Sequence, residues 1–141
     1  MFISKRLFAA VALWGMATAA FALPEIKVAN NVEYMTGGIG LDESTEMRAQ
    51  SRRWPLALEF SVKAGGQAQW MANVDVSVTD HYGRTVLQAT SDGPILLARI
   101  PSGNYTVRAS AAGKVLERKV HIAPGESARA VFVWTRVTEV G

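Results

Sequence analysis

Val74-Asp75-Val76-Ser77-Val78-Thr79-Asp80, followed by His81-Tyr82-Gly83-Arg84, decides how this chain is read. The valines fall on one face of the stretch, and Asp75, Ser77 and Thr79 on the other. Period-2 alternation of β-branched and polar residues marks a half-buried strand. Gly83 and the flanking polar residues suit a hairpin turn, and Thr85–Thr90 returns as the second strand. Ser91-Asp92-Gly93-Pro94 is the next turn. Pro94 has no N–H to give to a ladder, so it marks a strand start, and Ile95–Ile100 follows as a short apolar strand. Pro101-Ser102-Gly103-Asn104 turns again, after which Tyr105, Val107 and Ala109 alternate with outward Thr106, Arg108 and Ser110.

The same pattern continues on both sides. In Leu56–Lys63, Leu56, Leu58, Phe60 and Val62 point inward and Glu59, Ser61 and Lys63 outward. Gly65-Gly66 turns, and Trp70-Met71-Ala72-Asn73 leads back to Val74. Downstream, Leu116, Val120 and Ile122 share one face of Lys114–Ile122, opposite Glu117, Lys119 and His121. After Pro124-Gly125-Glu126, Ala128–Thr135 is apolar on both faces, as a covered central strand would be. About seven strands at even spacing, with turn chemistry between them, predict an all-β, antiparallel, Greek-key β-sandwich over residues 56–135. Residues 136–141 read as a frayed tail. No internal repeat or low-complexity tract interrupts the chain.

The first 55 residues read differently. Lys5 and Arg6 precede the apolar run Leu7–Ala19, and Ala20-Phe21-Ala22 has the small-x-small form of a cleavage site. Residues 1–22 therefore read as a signal peptide cleaved after Ala22, with a run too short to serve as a stable membrane anchor. The chain has no Cys, so it offers no lipid attachment site after the leader, no disulfide and no thiolate chemistry. The expected location is the periplasm or the exterior. Residues 23–55 read as an extension: short strands at Ile26-Lys27-Val28 and Val32-Glu33-Tyr34, a Gly-rich loop at Gly37-Gly38-Ile39-Gly40, and a surface helix to about Arg53 capped by Asp42 or Ser44. Asp42, Glu43 and Glu46 at its start and Arg48, Arg52 and Arg53 at its end suit the helix dipole.

From Leu56 to Trp134 the run Val-x-Val…Asp-x-x-Gly…Thr-x-x-Gly…Ile-Pro-Ser-Gly-Asn-Tyr-Thr-Val-x-Ala resembles carboxypeptidase regulatory-like domains, the prealbumin-like (transthyretin-like) sandwiches. In that family a Leu/Ile-Pro-x-Gly-x-Tyr segment turns into a central strand, and Ile100–Tyr105 matches it. The chain departs from the family at Pro94-Ile95, where an aromatic is usual. The resemblance implies a structural or interaction module. One branch of the group hydrolyses a purine-derived ring and ends in Tyr-Arg-Gly-Ser; this chain ends Thr138-Glu139-Val140-Gly141, which argues against that activity.

Charge narrows the partners. Of 15 Lys and Arg against 12 Asp and Glu, Lys5 and Arg6 lie in the leader, which leaves a surplus of one basic residue. That is no polyanion-binding surface, and nucleic acid is not expected. A triad needs a base beside a Ser or Thr and a carboxylate to orient it. His81 sits at a hairpin tip and His121 on a polar strand face, with no nucleophile-elbow motif, so no catalytic residue is assigned. Asp75, Asp80 and Asp92 are too sparse for a calcium loop, and no metal or cofactor is expected. The loop Tyr34 to Glu43, with Gly37, Gly38, Gly40, Asp42 and Glu43, is the segment least explained by folding needs. It is no Walker loop, and its acids would repel phosphate. Trp54, Trp70 and Tyr82 lie at element ends, where aromatics can stack on sugars or anchor a protein. The sequence therefore predicts a non-enzymatic envelope module that binds a protein partner, with a carbohydrate-binding module as the alternative and an envelope hydrolase behind both.

Overall fold

The computed structural model describes residues 23–135; the side chains of Ala68 and Trp70, residues 1–22, where a signal peptide is expected, and residues 136–141, expected as a frayed tail, lie outside the described residues. The described residues form ten strands and one α-helix: β1 Lys27–Ala29, β2 Val32–Gly37, α1 Leu41–Gln50 with a 3-10 turn at Ser51–Arg53, β3 Leu56–Ala64, β4 Gln67–Trp70, β5 Val74–Asp80, β6 Thr85–Ser91, β7 Ile95–Ala98, β8 Gly103–Ala111, β9 Lys114–Ile122 and β10 Ala128–Thr135. Two sheets face each other. Sheet 1 runs β1-β2-β7-β3-β10, with β4 paired to the far end of β3, and sheet 2 runs β6-β5-β8-β9. The all-β sandwich expected from the alternation is what forms.

The inward sets are the ones the alternation assigned. Leu56, Leu58, Phe60 and Val62 of β3 meet Val74, Val76 and Val78 of β5 and Tyr105, Val107 and Ala109 of β8. Phe60, Phe132 and Trp134 form an aromatic centre with ring centroids 5.7 to 6.4 Å apart. The Pro101–Tyr105 turn is tied off by the Tyr105 hydroxyl, which donates to the Pro101 carbonyl at 2.7 Å.

Three features differ from the sequence reading. First, β10 runs parallel to β3, with Ala128 opposite Leu56 and Thr135 opposite Lys63, while every other pair is antiparallel. Alternation reports which face a residue takes and carries no information on strand direction. Second, β10 is an edge strand. Its apolar outward residues Val131 and Val133 are 44% and 41% exposed, whereas the sequence predicted a covered central strand.

Third, residues 23–55, whose packing the sequence left open, join the sandwich, and β2, expected as a short edge strand, lies inside sheet 1 between β1 and β7. Asn30 and Asn31 are both left-handed, at φ 54° and 63°, as a two-residue hairpin turn requires. The Asn30 side chain accepts the Gln88 N–H at 3.1 Å. β2 then pairs with β7 from Tyr34 opposite Ala98 to Gly37 opposite Ile95. On the outer face of sheet 1, Met35, Ala57, Ile95 and Leu97 form a second buried cluster with Met47, Trp54 and Leu23. The helix is as weakly amphipathic as its sequence reads, with only Ser44 and Met47 buried. Its N-cap is Gly40, and no side-chain cap bond forms. The expected capping by Asp42 or Ser44 is replaced by Glu43, which reaches back to the Gly38 N–H at 2.8 Å.

Candidate functional site

The Gly-rich loop has a packing role. Gly37 and Gly38 are buried. A side chain on Gly93 would overlap the Gly37 carbonyl oxygen and stand 2.8 Å from its Cα, so the two backbones cross in contact. Only glycine permits so close an approach. Beside this crossing the Thr36 hydroxyl donates to the Asp92 carboxylate, and the Lys27 ammonium stands 3.7 Å from it. The Thr36 hydroxyl first, and then the Asp92 amide and Lys27, hold the Asp92 carboxyl below the usual carboxylate range. Asp42 is exposed on the first turn of α1, and Tyr34 is half-buried against the core. Tyr34, Gly37, Gly38 and Glu43 are thus engaged in closing β1, β2 and α1 onto the sandwich, while Gly40 and Asp42 stay exposed.

The candidate aromatics do not gather. Trp54 is 3% exposed, a correction to its expected place on the surface. Its ring fills the outer cluster because the backbone turns extended at Trp54 and enters β3 two residues later. Its face is covered by the Arg99 guanidinium, 4.2 Å from the ring centroid. Trp70 lies in β4 opposite Ser61, and its side chain is outside the described residues. Tyr82 is 70% exposed at the β5–β6 turn, packed by His81 at 3.9 Å and with Arg84 5.1 Å from its centroid.

The sequence did not bring together what the fold does: both histidines reach one groove. It has a volume of about 680 Å³ and crosses the outer face of sheet 2 from the β5–β6 turn to β9. The ladder registers explain it. Thr79 lies opposite Thr85 and Thr106, and Thr106 opposite Lys119, giving one row across four strands. The next row is Gln88–Ser77–Arg108–Glu117, and Asn104 pairs with His121 at the near end. Strands lie about 4.8 Å apart, so polar groups recur at that spacing. The only signal in the sequence was the outward half of the alternation.

The acids of this face are already engaged. Asp80 Oδ1 accepts the Tyr82 and Arg84 amides, each at 2.9 Å. These bonds, that from Arg84 foremost, hold its carboxyl below the usual range. Glu117 pairs with Arg108 at 2.8 Å. Asp75 accepts the Thr90 hydroxyl at 2.8 Å. His121 Nδ1 lies 2.7 Å from Asn104 Oδ1; in the tautomer that donates this bond from Nδ1, Nε2 is left as an acceptor for another partner. Among the described residues no group of three or more His, Cys, Asp or Glu could hold a metal ion.

No known family model matches this chain, and neither does any curated protein. Its reading therefore rests on the residues themselves. No helix among the described residues is long and apolar enough to cross a membrane.

Proposed function

We propose that this protein is an exported, non-enzymatic module of the cell envelope that docks a partner protein by adding a partner strand to the free edge of β10. The carrying observation is the character of that edge. Native sheets blunt their edges with charges, prolines, bulges or short strands. Here β1 is three residues long, β6 is tied to the Asn30 turn, and β9 carries Lys114, Glu117, Arg118 and Lys119. β10 has eight residues, no proline, an unbroken register with β3, and exposed Val131 and Val133. A partner strand would gain main-chain hydrogen bonds along such an edge and side-chain specificity from the two valines.

Export rests on the leader-like residues 1–22, and the module character on the resemblance to carboxypeptidase regulatory-like, Greek-key sandwiches. The binding reading is favoured over hydrolysis because the side chain that His121 Nδ1 meets is the Asn104 amide rather than a carboxylate. The carbohydrate reading built on exposed aromatics loses Trp54 to the outer cluster and retains Tyr82.

Photo-crosslinkers placed at Val131 or Val133 in the producing cell test the edge, with Glu46 on the exposed side of α1 as control. The expected result is one discrete adduct from positions 131 and 133 that is absent from 46 and lost when Val133→Lys is introduced beside a crosslinker at 131. Equal labelling at all three positions, or an adduct indifferent to Val133→Lys, sinks the docking edge. Amino-terminal sequencing of the envelope fraction checks export: the mature chain should begin at Leu23.

A further inference from the structure

We propose that the outer face of sheet 2 is a second, separate binding site, for an acidic oligosaccharide: a chain of sugars bearing a carboxylate. The argument begins with what covers this face. The outer face of sheet 1 carries Met35, Ala57, Ile95 and Leu97 and is roofed by α1 and Trp54. The outer rows of sheet 2 are Thr85–Thr79–Thr106–Lys119, Gln88–Ser77–Arg108–Glu117 and Thr90–Asp75–Ser110–Val115. Val115 is the one apolar side chain in these rows. Such a face offers nothing for an apolar protein surface to bury.

The groove in it is of ligand size, about 680 Å³, within the range of small-molecule sites. Its hydrogen-bonding capacity is unbalanced. The carboxylates of Asp80, Glu117 and Asp75 are committed to the β5–β6 turn, to Arg108 and to Thr90 respectively. Lys119 has no ion-pair partner among the described residues. Around it stand the hydroxyls of Thr79 and Thr106, the amide N–H groups of Asn104 and the free Nε2 of His121. A ligand that complements this set is rich in hydroxyl groups, which match the Thr and Asn rows, and carries a single negative charge for Lys119. A carboxylated sugar has both properties. A polyanion such as nucleic acid requires many uncompensated cations along a track, and this groove supplies one. At the rim the His81 and Tyr82 rings, tilted by 37° with centroids 3.9 Å apart, present an amphipathic edge that a sugar's C–H face can lie against.

The test is a nuclear magnetic resonance titration of the isotope-labelled protein with an oligogalacturonate, a neutral galactose oligomer of equal length, and sodium acetate. The acidic oligomer is expected to shift the signals of Thr79, Thr106, Lys119 and His121 saturably, leaving β10 signals in place. The neutral oligomer, or the acidic one with Lys119→Gln, should bind about tenfold or more weakly, as loss of a charge-assisted bond implies. Lys119 is exposed on β9, so the variant should fold, and its unshifted remaining spectrum verifies that. No shift with the oligogalacturonate overturns the proposal, as does equal binding of acetate or of the neutral oligomer. The readout is independent of the Val131 and Val133 crosslinks, so either site can fail alone.

Discussion

Met47→Ala tests whether residues 23–55 are part of the folded unit. Met47 is the one fully buried apolar side chain that α1 contributes, and it packs with Met35, Trp54, Ala57, Ile95 and Leu97. A Cβ on Gly37 would lie 3.1 Å from its sulfur, so Met47 also backs the Gly37–Gly93 crossing. Truncating a buried methionine costs about 2–5 kcal/mol, less where the surroundings collapse into the space. Here the roof is a single surface helix, free to settle inward, so the lower part applies, about 2–3 kcal/mol. In a folded unit of this size that lowers the melting midpoint by roughly 10 °C. The assay is urea unfolding followed by far-ultraviolet circular dichroism, with Glu46→Ala as control, expected within about 0.5 kcal/mol of the parent as a surface change. Both variants should unfold in one transition with an unchanged slope. A Met47→Ala loss below about 0.5 kcal/mol, or an early separate transition, would refute the reasoning. It would mean that α1 rests on the sandwich without being coupled to it.

Three further outcomes are expected. Gly93→Ala forces a methyl group into the Gly37 carbonyl and should cost about 1–3 kcal/mol by overpacking, read as a lower urea midpoint; an unchanged midpoint would show that the two backbones part freely. Tyr105→Phe keeps the ring and loses the bond to the Pro101 carbonyl, for about 1 kcal/mol by the same assay. Asp92 and Asp80 are both held below their ordinary range, mainly by the Thr36 hydroxyl and the Arg84 amide respectively. Their stabilisation should be complete above the unfolded carboxylate value of about 4 and drain away as pH falls from there through the lower folded values. Asp92 is largely exposed, so its share is below about 1 kcal/mol. Asp92→Asn should flatten the decline in urea midpoint below pH 4, and an identical decline in parent and variant would contradict the assignment.

The inner faces were legible because alternation is a direct consequence of strand geometry. Leu56 to Val62, Val74 to Val78 and Tyr105 to Ala109 needed no tertiary information. What alternation cannot convey is which strand lies beside which, and in what direction. Ala128–Thr135 looked like a covered central strand because it is apolar on both faces, yet its outward valines face no second layer. Ile95–Ala98 and Ala57 show the opposite case: their outward apolar residues are covered, by a helix whose own sequence is too weakly amphipathic to announce it. Asn30-Asn31, two residues that tolerate the left-handed region, offered a hairpin signal that the sequence reading passed over. The pairing of Gly37 with Gly93 did not, since it joins residues far apart in sequence through bare backbone.

The two outer faces therefore divide the surface by a physical rule. Apolar residues at outward positions must be roofed or else left as a contact for something else. On sheet 1 the roof covers Met35, Ala57, Ile95 and Leu97 and stops short of Val131 and Val133. That boundary is where an added strand has most to gain: it would shield two valines and satisfy an open ladder at once. Sheet 2 carries hydroxyl, amide and charged groups outward, which cost little in water and need no roof. A face of that kind is stable bare and retains its groove, so any ligand it takes must compete with water by matching donors, acceptors and charge. Lys119, the one lysine or arginine of the groove without an ion-pair partner among the described residues, is where that competition is most easily won, because its gain on pairing is not offset by breaking an existing ion pair.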